Sequence, residues 1–160
     1  MAQLTHLDGD GRPRMVDVSE KAVTARVATA SARVILGTDV RDQLAQAGYA
    51  TKKGSIAQIA IIAGTQAIKQ TWSVIPLCHA LPISGCRITV EPEADVPALR
   101  IECTVKTTGQ TGVEMEALHG ATVAALTVYD MTKALSHDVR ITDVQLEHKS
   151  GGKRDFTRKG

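Results

Sequence analysis

Two glutamates and an Asp-Lys pair stand on a stretch of sequence that is otherwise apolar. Glu114 and Glu116 begin the stretch, Asp130 and Lys133 lie near its end, and mostly Ala, Val and Leu residues separate them. A charged group that borders an apolar helix face loses hydration unless it is paired, exposed or used. A carboxylate beside a lysine can also transfer protons. This stretch is therefore the first candidate for chemistry.

The spacing of these residues limits the kind of site they can form. If the stretch is one helix, Glu116 and Asp130 fall within about 40° of the same face but about 21 Å apart along the axis. One small ligand cannot contact both residues of one chain, so either the ligand is long or another subunit completes the site. Asp130 and Lys133 are three positions apart and can meet on one face. An ordinary surface ion pair is the alternative interpretation of that pair.

Other segments also carry candidate binding residues. Residues 52–55 (Lys-Lys-Gly-Ser) form a basic loop that opens a predicted helix, where backbone N–H groups and lysine charge could bind phosphate. Two solvated lysines are the alternative. His79 lies between Pro76 and Pro82 in a stiff loop and is either functional or structural. Residues 8–11 (Asp-Gly-Asp-Gly) begin like a calcium loop but lack its later ligands, so no protein metal site is predicted.

Composition narrows the function class. The chain has 160 residues with 43% hydrophobic and 22% charged side chains, which fits one domain spanning residues 1–160, with flexible segments expected at 1–14 and 150–160. The net charge of +2 offers no bulk attraction to nucleic acid or membranes. Only four residues are aromatic, which argues against a surface that stacks on bases.

The cysteines and the chain start indicate a cellular location. Three cysteines cannot all pair within one chain, and no Cys-x-x-Cys motif is present, so free thiols in a reducing cytoplasm are expected. The N-terminus has no charged-then-apolar leader, and no apolar run is long enough to span a bilayer.

The order of predicted elements indicates an α+β fold. The pattern predicts a strand, two helices, a β-hairpin, one long helix and a final strand, in that order. This is a β-α-β-β-α-β sandwich of the ferredoxin-like type, with an antiparallel four-stranded sheet and helices on one face. The predicted ranges, with the third helix as the longest, are strand 23–30, helices 39–47 and 55–72, hairpin strands 86–93 and 98–107, helix 112–136 and strand 139–148.

Several blocks, in one order along nearly the whole chain, resemble the cyclic pyranopterin monophosphate synthase family, also called the molybdenum cofactor biosynthesis protein C family. Leu-Cys-His at 77–79, Glu-Met-Glu-Ala-Leu at 114–118 and Tyr-Asp-Met-x-Lys-Ala at 129–134 are together highly specific. The remaining blocks are Met-Val-Asp-Val-Ser at 15–19, Lys-Gly at 53–54, Ile-Pro at 75–76, Thr-Gly-Val at 111–113 and Lys-Ser-Gly-Gly-Lys at 149–153.

The resemblance implies an enzyme, a pyrophosphate-releasing lyase. Its substrate would be the cyclised dihydro-GTP intermediate, which it would convert to cyclic pyranopterin monophosphate. The resemblance also implies a homohexamer, a trimer of dimers, with sites at the dimer interface. No cofactor is implied, although Mg²⁺ could accompany the substrate triphosphate. Two alternatives from other classes remain: a non-catalytic ferredoxin-like module that binds nucleotides or RNA, and a purely structural oligomer-forming protein.

The resemblance also assigns roles to individual residues. Asp130 is expected to be the catalytic acid or base, with Lys133 setting its charge state. Either Glu114 or Glu116 suits the guanidine-like edge of the base, because a carboxylate accepts two parallel N–H donors. Three cations, Arg26, Lys53 and Lys149, are candidates for the triphosphate. The substrate site is expected to be completed by Leu77, Cys78, His79 and Met115.

Overall fold

One antiparallel sheet organises the protein, and the computed structural model describes residues 7–159. Its main strands run in the order β4-β5-β1-β6-β7, so the first strand of the chain lies at the centre. The elements are β1 (Thr24–Ile35), α1 (Thr38–Gln46), β2 (Ala50–Thr51), β3 (Gly54–Ser55), α2 (Ile56–Val74), β4 (Ile83–Pro92), β5 (Ala98–Gly109), α3 (Glu114–Thr132), β6 (Arg140–Ser150) and β7 (Phe156–Thr157).

This arrangement confirms the predicted ferredoxin-like α+β fold, with one difference in strand number. Strand β1 pairs antiparallel with β5 on one side and with β6 on the other, and β4 closes the hairpin with β5. The sheet has five strands rather than four because β7 pairs with His148 and Lys149 of β6. Two residues are too few to produce a recognisable alternation, so the sequence pattern could not reveal β7.

The core lies between one face of the sheet and the helices. Every second residue of β1 from Ala28 to Val34 is buried, and the side chains are small. Helix α3 can therefore approach the sheet closely, and Gly120 marks the tightest point. A Cβ at Gly120 would lie 2.7 Å from Ile68 of α2 and 2.8 Å from the Cys103 sulfur of β5. The α2–α3–sheet packing thus depends on a residue without a side chain.

Helix bounds differ modestly from the predicted ones. Helices α2 and α3 both have 19 residues, so the prediction that the third helix is the longest is wrong. Helix α3 ends early because the chain continues as a turn, in which the Leu135 N–H bonds to the Thr132 carbonyl. At the start of α1, Thr38 and Asp39 have side chains of the kinds that often cap helices. Gly37, with φ of 80°, occupies the cap position, and no side chain caps the helix.

The flexible segments expected at residues 1–14 and 150–160 stay a prediction. Residues 150–160 include β7, which is tied to β6. The segment 1–14 lies partly outside the described residues, and within the described part Leu7 and Pro13 form an isolated antiparallel bridge. None of the helices in residues 7–159 has the combined length and apolarity needed to cross a bilayer.

Candidate functional site

The Leu-Cys-His loop follows directly from the end of α2. After Val74 the chain leaves the helix, and the Cys78 N–H bonds back to the Ile75 carbonyl at 3.3 Å. Leu77 in this turn has φ of 64°, a left-handed conformation that is costly for a large side chain. The turn places Cys78 and His79 beside the start of α3.

These residues line a cleft of about 350 Å³, which we call the histidine cleft. The His79 Nε2 lies 2.9 Å from the Val16 carbonyl oxygen. Because a carbonyl only accepts, Nε2 carries the proton in this contact and a neutral ring leaves Nδ1 as the acceptor. The residues lining the histidine cleft are Val16, Val18, Lys21, Leu77, Cys78, His79, Leu81, Thr111, Gly112, Glu114, Met115 and Glu116.

The two glutamates of α3 have different environments. The Glu114 carboxylate accepts a hydrogen bond from Lys149 Nζ at 2.9 Å. Glu116 is only 4% exposed and, among the described residues, forms no ion pair. Burial raises the pKa of Glu116, and the charge of Glu114 adds to the effect. Glu116 is thus a buried carboxylate that lines the histidine cleft and forms no ion pair with the described residues.

Cys78 shares the cleft with Glu116 and is a partly buried thiol. Burial raises the pKa of Cys78, and the carboxylate of Glu116 raises it further. The thiol is therefore protonated near neutral pH, which does not favour a nucleophilic role. All three cysteines, Cys78, Cys86 and Cys103, are free thiols.

A second cleft, of about 1090 Å³, adjoins the first and is rich in cations; we call it the basic cleft. Arg26 reaches it from β1 and donates from Nη2 to the Gln110 carbonyl at 3.3 Å, while its buried Nε has no partner within residues 7–159. The loop at Gly151 and Gly152 passes so close to β1 that a Cβ at Gly152 would lie 2.9 Å from the Arg26 Nη1. The charged residues that line the basic cleft are Asp17, Glu20, Lys21, Arg26, Glu114, Lys149, Lys153 and Arg154.

A third group, at the other end of α3, joins three predicted site residues. The Asp130 carboxylate accepts hydrogen bonds from Lys133 Nζ at 2.7 Å and from Lys53 Nζ at 2.9 Å. Hydrogen bonds from Lys133, which has the larger effect, and from Lys53 lower the pKa of Asp130 to about 2. The same carboxylate raises the pKa of Lys133. We call these three residues the Lys-Asp-Lys group.

The structure thus divides the predicted site residues into two sets. The two clefts form a continuous region because they share lining residues, including Lys21 and Glu114. The Lys-Asp-Lys group lies near the opposite end of α3 and lines neither cleft. The residues brought together in the clefts are Arg26, Leu77, Cys78, His79, Glu114, Met115, Glu116 and Lys149.

Sequence reasoning missed several lining residues. Lys21 contributes to both clefts, and Gln110 and Arg154 contribute to the basic cleft. Lys21 follows the Met-Val-Asp-Val-Ser block by two positions, and this proximity was the available signal. Gln110 directly follows β5 and had no chemical signature of its own. Within the part of the chain that the structure describes, no group of three or more His, Cys, Asp or Glu residues could hold a metal ion.

Comparison with known proteins shows which family the chain resembles. A model of the MoaC family matches residues 15–152. A relative from Xanthomonas campestris pv. campestris (strain B100), named cyclic pyranopterin monophosphate synthase, is 56% identical over 155 residues, covering 97% of this chain and 93% of the relative. One from Dinoroseobacter shibae with the same name is 48% identical and covers 96% of each chain.

A longer animal protein contains a similar segment. Molybdenum cofactor biosynthesis protein 1 of Drosophila melanogaster is 48% identical over 157 residues, which cover 98% of this chain and 27% of that protein. The family model covers most of the chain, and both bacterial relatives align over nearly their whole length. The chain therefore belongs to the MoaC family.

Proposed function

We propose that this chain catalyses the step named for its bacterial relatives, the synthesis of cyclic pyranopterin monophosphate in molybdenum cofactor biosynthesis. The substrate is the cyclised dihydro-GTP intermediate (3',8-cyclo-7,8-dihydroguanosine triphosphate), and pyrophosphate is released, as in a lyase. The observation that carries the proposal is the joining of a buried, uncompensated carboxylate and a cation-rich cleft in one continuous region of a MoaC-family chain. A purine-derived base and a triphosphate require those two environments.

Glu116 is the better candidate for reading the guanidine-like edge of the base. The Lys149 ammonium is already paired with the Glu114 carboxylate, whereas the Glu116 carboxylate lines the histidine cleft and forms no ion pair with the described residues. Two parallel N–H donors of the base can satisfy both oxygens of a carboxylate. Because Glu116 is almost fully buried, such donors would replace hydration that the fold has removed.

The triphosphate is assigned to the basic cleft. The buried Nε of Arg26 has no partner among the described residues, and a shift of the side chain towards a phosphate oxygen would satisfy it. Lys149 borders the same cleft and is tethered by Glu114. Lys53 would reach the triphosphate from the Lys-Asp-Lys group of a partner copy of the chain. Mg²⁺ can accompany the triphosphate, and no cofactor is assigned to the protein.

Asp130 and Lys133 are assigned the proton transfers. With both lysines bonded to it, the Asp130 carboxylate is ionised and weakly basic. When phosphate oxygens of the substrate draw Lys53 or Lys133 away, the pKa of Asp130 moves back towards its usual range. Substrate binding thereby turns an inert carboxylate into one that can exchange protons. The same rearrangement brings an ammonium group to the developing phosphate charge.

The complete site is assigned to two chains. The Lys-Asp-Lys group and the histidine cleft lie at opposite ends of α3, about 21 Å apart along a helix axis. A partner copy that supplies the missing end would close the site, in a homohexamer built as a trimer of dimers. Large exposed apolar residues on the helices support association: Ile62 is 67% exposed, Leu126 56% and Trp72 55%. Three free thiols support a cytoplasmic location.

The alternative of an RNA-binding module lacks support on the open face of the sheet. RNA-binding sheets of this topology stack bases on aromatic side chains. Here the open face of β4 and β5 carries mixed charges and threonines: Arg87, Thr89, Glu91, Arg100, Glu102, Thr104 and Lys106.

The test of the proposed function is direct. The purified protein is supplied with the cyclised dihydro-GTP intermediate, and release of pyrophosphate and formation of the pyranopterin product are followed together. Stoichiometric appearance of both supports the assignment. A folded, oligomeric protein that releases no pyrophosphate refutes it.

A further inference from the structure

Residues 16–22, which we call the strap, form the wall between the two clefts. Val16, Val18 and Lys21 line the histidine cleft, whereas Asp17, Glu20, Lys21 and Ala22 line the basic cleft. The strap has no helix or strand of its own. Segments without regular structure keep their shape only through bonds to their surroundings. What fixes the strap therefore decides the shape of both clefts.

Gln110, at the end of β5, makes two of these bonds. Its side-chain amide donates from Nε2 to the Ser19 carbonyl at 3.1 Å and to the Lys21 carbonyl at 3.1 Å. Both amide hydrogens of Gln110 are thus used on the strap. At the other end of the strap, His79 donates to Val16. Between these anchors the strap turns on itself, with the Lys21 N–H bonded to the Val18 carbonyl at 2.9 Å.

Gln110 also connects the strap to a predicted phosphate ligand. Its backbone carbonyl accepts from Arg26 Nη2 at 3.3 Å. One residue therefore fixes two cations that line the basic cleft: Arg26 through its main chain and the Lys21 segment through its side chain. The same bond to Lys21 also restricts the positions of Glu20 and Ala22, because these residues flank Lys21 in the chain.

We propose that Gln110 is a positioning residue for the substrate site, and that it acts by holding the strap so that Lys21 supplies a further cation to the phosphate groups. The proposal rests on the proposed function for the identity of the ligand. Without the two amide bonds, the strap and the Lys21 side chain would have to be ordered when the ligand binds. That ordering opposes binding, so the loss falls on affinity rather than on the chemical step.

The test compares two variants of Gln110 with a control. Gln110→Glu keeps the size of the side chain but removes both N–H donors, and Gln110→Ala removes the side chain. Gln145→Ala is the matched control, because it deletes another glutamine amide bond, to Glu147 on β6. Both Gln110 variants are expected to raise KM roughly tenfold with kcat nearly unchanged, the signature of lost uniform binding. Amide hydrogen exchange across residues 16–22 should become faster in both.

A double-mutant cycle with Lys21→Ala tests whether Gln110 acts through the strap. If it does, the KM of the double variant will be close to that of Lys21→Ala alone, because the cation that Gln110 positions is already gone. Independent, additive effects would overturn the proposal, as would a Gln110→Glu variant with wild-type KM and wild-type exchange. A wild-type protein that releases no pyrophosphate would instead refute the proposed function, and the exchange measurement would still decide whether Gln110 holds the strap.

Discussion

Glu116 and Asp130 stand on the same helix, 14 residues apart, and each belongs to a different set of predicted site residues. Glu116 lines the histidine cleft, whereas Asp130 is bonded to Lys53 and Lys133. A straight helix separates them by about 21 Å. This separation is the basis for assigning the complete site to two chains.

Subunit complementation tests that assignment. Asp130→Asn and His79→Ala subunits, each inactive alone, are mixed and allowed to exchange. In a symmetric dimer with shared sites, mixed pairs have one intact site, so random mixing should restore about a quarter of the wild-type activity. An activity that stays at the level of the separate variants would mean that each site is built within one chain. Mixing two preparations of the same variant is the control.

Replacing Asp130 tests its proton-transfer role. Asp130→Asn keeps the size of the side chain but cannot exchange a proton near neutral pH. Turnover should fall by about 10²–10⁴-fold, the range typical of a lost general acid or base. The melting temperature and oligomeric state should change little, because all three members of the Lys-Asp-Lys group are about half exposed and such ion pairs contribute little stability. A turnover within about twofold of wild type would mean that Asp130 and Lys133 form only an ordinary surface ion pair.

The lysines can be tested through the salt dependence of binding. Lys53→Ala and Lys149→Ala should each raise the substrate concentration needed for half-maximal rate and make it less sensitive to salt, because one charge-assisted contact is lost. Lys69→Ala, an exposed lysine on α2, is the matched control. Unchanged affinity in both test variants would remove these lysines from the phosphate site.

The two glutamates should differ in their effect on base recognition. Wild-type protein is expected to bind GTP more tightly than ITP, whose base lacks the 2-amino group. Glu116→Gln should reduce this preference by roughly tenfold or more, because a hydrogen bond to a charged acceptor is lost. Glu114→Gln should weaken both nucleotides alike, since Glu114 orients Lys149. Calorimetry measures the affinities of both variants for GTP and ITP. If Glu114→Gln, rather than Glu116→Gln, reduced the preference for GTP, Glu114 would be the residue that recognises the base.

Glu116 also predicts a pH-dependent difference in stability. Burial raises the pKa of Glu116 above its ordinary value of 4.5, so the folded protein holds this proton when the unfolded chain has lost it. Stability therefore falls as pH rises through that interval, and Glu116→Gln removes the loss. The unfolding midpoints of wild type and Glu116→Gln should agree at low pH. At pH values above the interval in which Glu116 ionises, the variant should be the more stable protein. A variant that is less stable near neutral pH would mean that a favourable partner holds the ionised Glu116.

Local patterns were sufficient to predict much of the fold. Alternation in β1, the break at Pro97 between β4 and β5, and the apolar stripe of α3 are all properties of neighbouring residues. Hence the ferredoxin-like order of elements follows from the sequence pattern alone. Helix ends were less predictable, because a cap such as Gly37 depends on backbone conformation rather than on side-chain chemistry.

Long-range contacts explain what could not be derived. The bond from Lys53 to Asp130 joins residues 77 positions apart, and no periodicity encodes it. The same holds for Gln110, whose amide bonds reach back about 90 positions to the strap. Sequence reasoning named Glu114 and Glu116 together as alternatives. The ion pair of Glu114 with Lys149 and the deep burial of Glu116 distinguish the two glutamates, and both depend on the fold.

The left-handed turn at Leu77 has a consequence for engineering. Such a conformation costs a non-glycine residue about 1–3 kcal/mol, and a glycine would relieve much of that cost. Leu77→Gly would therefore be chosen by an engineer who judges stability from backbone conformation alone. Yet the same side chain forms part of the wall of the histidine cleft, and glycine would also loosen the turn that holds Cys78 and His79. Ranking substitutions by backbone strain alone would select a change that damages the predicted site.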